Sequence, residues 1–195
     1  MNTSRLESLL ARIDSANKQD PSLEGFEGSP QPKEFVYSVR LSRWVRRLCP
    51  QPSEILQIAS RGQHIRRWEI PREKYPRNRQ GYLRWRETLK AFHARTVSQL
   101  MREASYTPEE IAQAESLILK KRPLQDTEQA AIEDALCLLF LETQLEDVRT
   151  KVSEETMQQV LQKTWAKMSA RGRAEALKLP LTESQRRWIQ SVLMP

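Results

Sequence analysis

Several things are scarce in this chain of 195 residues: there are two cysteines, two histidines and five glycines. Cys49 stands beside Pro50 and Cys137 lies inside an apolar run, so neither a disulfide framework nor metal-finger spacing is present, and free thiols in a reducing compartment are expected. So few glycines exclude the Gly-rich phosphate loop and the dinucleotide fingerprint, and they disfavour doubly wound nucleotide folds. Long apolar runs are also missing. The longest, Ala135 to Leu141, has seven residues against the roughly 20 that a membrane span needs. The first residues, MNTSRLESLLARID, mix charges into their apolar positions, unlike a secretory signal. A cytoplasmic protein with no membrane partner is the expectation.

Charge is abundant, but uneven. The formal net charge is +7, yet the segment from Arg61 to Arg102 holds twelve Lys and Arg against three acids, and the remainder is slightly acidic. A basic excess confined to one segment suits an anion: a phosphate-bearing small molecule, a nucleotide, RNA or an acidic partner. A solvated helix face is the plain alternative.

A period of 3.6 recurs along the chain and predicts an all-α fold, a compact bundle of about eight helices in one domain spanning residues 1–195. Within it, residues 1–20 are predicted as an N-terminal helix capped by Thr3 or Ser4, and 21–34, with Gly25, Gly28 and three prolines, as a loop. The predicted core is 35–150 and the C-terminal helices occupy 151–195. Core helices are predicted from about Tyr37 to Leu48, from Ser53 to about Arg66, and from about Tyr82 to Glu103. Thr107-Pro108-Glu109-Glu110 opens the next with a cap, an N1 proline and two acids against the dipole. Asp126 caps a helix whose stretch Ala135 to Leu141 is apolar nearly all round and belongs in the middle of the bundle. Ser153 caps another, and Thr182 with Gln185 forms a capping-box pattern for the last.

Chemistry has few bearers. His64 ends an apolar helix, and His93 sits four residues from both Leu89 and Val97 on the buried stripe of the long helix. Asp134 shares a face with Cys137, Leu138 and Leu141, and a carboxylate turned into a core must be paired, hydrogen-bonded or metal-bound. Two imidazoles and a carboxylate on three helices define a candidate divalent metal site, and catalytic set, of His64, His93 and Asp134. Around them cluster Arg61, Arg67, Arg72, Tyr75, Arg79 and Arg86, guanidinium and phenol groups suited to holding a phosphate or stacking on a base. The alternative for Arg67 and Arg86 is pairing with acids such as Glu54 and Glu133.

The order of these segments resembles an HD-type phosphohydrolase. Tyr37 to Leu48 is similar to the first helix of that fold, Leu56 to Pro71 to the His-Asp doublet helix, and Ala131 to Glu142 to the final Asp helix. That resemblance implies His64 as the doublet's His, Asp134 as the last Asp and His93 as the extra His of some members. It also puts Ile65 where the doublet's Asp belongs and Tyr37 or Ser38 where the first His belongs, so two of four implied ligands are absent. A longer resemblance runs through IDSANKQDP, the stretch from Ser42 to Ala94, IEDALCLLFLE and KTWAKMSARG, and is to the family called domain of unknown function 4202, which implies no activity. Where that family is expected to carry a His in an MSxxGH segment, this chain has Arg173. The HI and KMS tripeptide-like echoes of class I aminoacyl-tRNA synthetases are excluded, since those motifs work on a Gly-rich parallel sheet.

Two functions follow as expectations: an HD-like phosphoester hydrolase, linked to a divalent metal, acting on a small phosphate-bearing or nucleotide substrate, and a non-catalytic nucleotide- or RNA-binding protein. In the first, the metal would activate water or His93 would act as general base. A protein-interaction scaffold is a third reading.

Overall fold

The computed structural model describes residues 4–123 and 125–193. Most of its helices begin where a capping side chain satisfies backbone donors left over in the first turn. Helix α1, Arg5–Asn17, is closed by a capping box between Ser4 and Glu7, while Thr3 lies outside the described residues. Helix α2 is Lys33–Leu48, and α3, Glu54–Gly62, starts on the Ser53 hydroxyl. The long helix α4, Arg79–Glu103, begins three residues before the expected start because the Asn78 side chain accepts from Gly81 N at 2.8 Å. Helix α5, Pro108–Ile118, has the expected Thr107 capping box, and α6, Thr127–Thr143, hangs on Asp126. Then come α7, Leu145–Arg149, α8, Glu154–Lys167, α9, Ala170–Ala176, and α10, Glu183–Leu193. Ten α-helices among the described residues replace the expected eight, because the chain after α6 breaks into shorter pieces.

The fold is mainly α, with one correction. The expected loop 21–34 contains a hairpin of β1, Leu23–Phe26, and β2, Ser29–Pro32, paired antiparallel with Leu23 opposite Pro32. Glu27 and Gly28 turn it, both with positive φ, the handedness that matches the twist of a two-residue hairpin. Pro30 and Pro32 are tolerated because both strands of a two-stranded sheet are edges. The hairpin delivers the chain into α2 at Lys33, so Glu34 belongs to that helix's first turn.

Helix α2 packs against α6 and α3, and α3 and α4 both pack on α5. Leu41, Leu56, Ile58, Ile118, Ile132 and Leu138 are fully buried between them. Each such side chain stabilises the fold by about 1.5–3 kcal/mol before entropy is counted. As expected, α6 buries residues on most of its circumference: Ala135, Leu138, Leu139 and Leu141 all lie in the core. Both cysteines are free, and among the described residues no helix is long and apolar enough to cross a membrane.

Candidate functional site

The two histidines meet. His64 lies in the turn that follows α3, a turn anchored where the left-handed residue Arg66 donates its N–H to the buried Asn17 side chain of α1. His93 rises from the middle of α4, and the ring centroids are 5.8 Å apart. Tyr37 of α2 closes the other face of His64, its ring 3.9 Å away and nearly parallel. The main-chain carbonyl of Ile65 is 2.8 Å from Nδ1 of His93. A carbonyl only accepts, so Nδ1 carries the proton and Nε2 is left as a bare acceptor, buried and without a partner. Burial first, then the neighbouring His64, hold His93 down to about 3. Burial, followed by Arg67, Arg86 and Lys120, holds His64 well below its ordinary value. Both imidazoles are therefore neutral at pH 7.

A carboxylate absent from the expected set completes this cluster. Glu34 of α2 brings Oε2 to 3.3 Å from His64 Nδ1 and Oε1 to 3.6 Å from Arg67 Nε. Burial raises its carboxyl to about 7, against the opposing pull of Arg67. Arg67 lies over Trp85, its guanidinium 4.7 Å from the ring centroid, while Trp85 Nε1 donates to Ile70 O at 2.9 Å.

This cluster forms the wall between two clefts. The larger, about 740 Å³, is lined by Glu34, Arg40, Trp68, Arg72, Trp85 and Asp147 among others. The smaller, about 250 Å³, lies between the turn after α3, α4, α6 and α8, and Tyr37, His64, Arg67 and Gln144 line both. The smaller cleft gathers five cations, Arg67, Arg86, Lys90, Lys120 and Lys167, against one carboxylate, Glu133. Lys120 pairs with Glu133 at 2.7 Å, and burial lowers its pKa despite that partner. Lys120 itself has φ 58, a left-handed conformation unusual for lysine, just past the end of α5. Lys90 pairs with Glu87 at 2.6 Å. Arg86 reaches only the Tyr82 hydroxyl, at 3.3 Å, and among the described residues neither Arg86 nor Lys167 forms an ion pair.

The remaining expected residues lie elsewhere. Asp134 is a correction: its carboxylate accepts from Ser169 N at 2.8 Å and from Ser169 Oγ at 2.5 Å, and it lines neither cleft. A Cβ on Gly172 would lie 2.4 Å from that carboxyl, so only glycine lets α9 approach. The unusual KMSARG segment is thus explained by packing: Ser169 caps α9 and clasps α6. Arg173 donates to Trp165 O at 3.1 Å beside that clasp. Glu133, one residue earlier and about 100° round the helix, is the carboxylate that faces the smaller cleft. Arg61 is bound in a fork to Asp14, with 2.5 and 2.6 Å contacts, in a separate cavity. Arg72 lines the larger cleft but spends its guanidinium on the carbonyls of Tyr75 and Pro76, both at 2.8 Å. Tyr75 and Arg79 line neither cleft, whereas Arg67 lines both and Arg86 the smaller.

The donors do not fit the expected divalent ion. Ile65 is fully buried in the core, Tyr37 is stacked on His64, and Asp134 is consumed by Ser169. No group of three or more His, Cys, Asp or Glu among the described residues is arranged to hold a metal. Glu34, Gln63, Lys120 and Lys167 were missed from sequence. Glu34 left a signal, since it continues the buried stripe of Ser38, Leu41 and Val45 one turn earlier.

The family model described as domain of unknown function (DUF4202) matches residues 7–189, so the chain belongs to that family. No curated protein and no solved structure matches it, and the HD-type resemblance gains no support.

Proposed function

Since membership of DUF4202 brings no activity with it, we propose that the smaller cleft binds a phosphate-bearing small molecule such as a nucleotide or sugar phosphate. One observation carries this: five cations from four parts of the fold converge on about 250 Å³ with a single carboxylate among them. Two of the five, Arg86 and Lys167, have no ion-pair partner among the described residues. Like charges held this close repel one another, and an anion relieves that repulsion. Neutral histidines beneath them add no charge of their own. The test is equilibrium binding of phosphate, pyrophosphate and nucleoside phosphates at low and moderate salt. Micromolar to millimolar affinity that weakens with salt and falls in Arg86→Ala/Lys167→Ala supports the reading. Binding of RNA alone, with a steep salt slope, would move the site to the exposed Lys74, Arg77, Arg79 and Arg84.

A second reading, phosphoester hydrolysis, is favoured by Glu34. A carboxyl raised to about 7, which lines the larger cleft, is matched to general-base work at neutral pH on an ester that reaches over the shared wall into that cleft, which a His93 held near 3 is not. In that reaction Glu34 takes a proton from the attacking water, the P–O ester bond breaks, and solvent protonates the leaving oxygen. Phosphate release abolished by Glu34→Gln with ligand affinity kept is the expected signature. Release unchanged in that variant removes Glu34 from the role.

A further inference from the structure

Two buried, unpartnered acceptors belong to residues that line the smaller cleft, and they narrow the ligand. His93 Nε2 is a bare acceptor, 2% exposed at the residue level and without a hydrogen-bond partner. Gln63, which lines the same cleft, has its Oε1 buried and unpartnered too. An unpaired buried acceptor is costly to leave unmet, and an ionised phosphate oxygen cannot relieve it, being an acceptor itself. Cations for the anion stand around the rim; donors for these two atoms are absent. Resting on the phosphate-binding reading above, we infer that the ligand is a phosphate monoester with a free hydroxyl next to the ester, as in a phosphorylated polyol or sugar. Its phosphate sits among Arg86, Lys120 and Lys167, and its hydroxyl donates to His93 Nε2.

Substitutions separate the two nitrogens of His93. An asparagine amide can reproduce the Nδ1–H bond to Ile65 while removing the deeper acceptor, and a glutamine can present an acceptor near the position of Nε2.

The experiment compares glycerol 3-phosphate with propyl phosphate, an ester of like charge that lacks the hydroxyls, by calorimetry on the full chain. Wild type is expected to bind the glycerol ester roughly three- to tenfold more tightly, the size of one net hydrogen bond. His93→Asn should bring that ratio to about one, and His93→Gln should restore part of it. Equal affinity of wild type for the two esters, both bound, overturns the inference and leaves the anion site standing. Failure of both esters and of pyrophosphate to bind overturns the site and the inference together. The wild-type comparison needs no variant, so a variant that does not fold leaves it decisive.

Discussion

Among the buried polar groups of the described residues, two clusters are built on opposite plans. At the junction of α6 and α9, every demand is met: Asp134 accepts from Ser169 twice, Ser169 Oγ also caps Gly172 N at 3.1 Å, and the glycine leaves room for the carboxyl. At the meeting of α2, α4 and the turn after α3, demands are left open. His93 Nε2, Gln63 Oε1 and Glu34 Oε2 have no hydrogen-bond partner, and Glu34 and His93 have pKa values pushed in opposite directions by burial. A closed cluster holds elements together; in an open one beside a cleft ringed by cations, the proposed ligand would supply the bonds that the protein leaves unmade.

Breaking the closed cluster should give the largest effect on stability. Asp134→Ala strands the Ser169 N–H and is expected to cost about 3 kcal/mol in denaturant unfolding, given two bonds to a charged group. Anion affinity measured on the folded protein should stay within twofold of wild type, since Asp134 lines neither cleft. A large loss of affinity with little loss of stability would erase the distinction between the clusters.

Breaking the open cluster should give an effect no larger than that, and one that depends on pH. The Glu34 carboxyl titrates near 7 in the folded protein against 4.5 in the free side chain, so the folded state holds the extra proton between those values. Stability from this group is therefore present at low pH and lost as pH rises to 7. Glu34→Gln removes that loss, and its stability relative to wild type should rise by about 3 kcal/mol between pH 4.5 and pH 8. The histidines oppose this trend: His93, at about 3 against an ordinary 6.5, makes the fold lose stability as pH falls from 6.5. The comparison of variant with wild type cancels that contribution. A pH-independent difference would mean Glu34 is solvated and ionised like a surface acid.

The third expectation concerns the rim. Arg86→Ala/Lys167→Ala should weaken pyrophosphate binding at least tenfold at low salt while changing stability by no more than about 0.5 kcal/mol, as neither side chain is ion-paired among the described residues. The smallest effect is expected at Cys137. Burial raises its thiol to about 11, so alkylation of the native protein at pH 8 should proceed at Cys49 first, as read by mass spectrometry.

Much of the scaffold was legible because caps and periodicity are local. Ser4, Thr107, Asp126 and Ser153 open helices as expected, and His93 on the Leu89 and Val97 stripe proved buried. The hairpin was illegible because Pro30 and Pro32 argue against a strand, and the turn at Glu27 and Gly28 is a weaker signal than Asn-Gly. Missing the hairpin displaced the start of α2, and with it Glu34. The choice between Glu133 and Asp134 could not be read from a helix that is buried on most of its surface, because both residues face protein. Lys120 enters the cleft through a left-handed residue beyond α5, a tertiary placement that no period encodes.

The most direct test of the contrast is an NMR titration of labelled protein with pyrophosphate at low salt, following side-chain nitrogens and backbone amides together. The account predicts that Arg86, Lys120 and the His64 and His93 rings shift saturably while the Ser169 and Gly172 amides stay still. Shifts confined to Lys74, Arg77, Arg79 and Arg84, or none at the histidines, would contradict it.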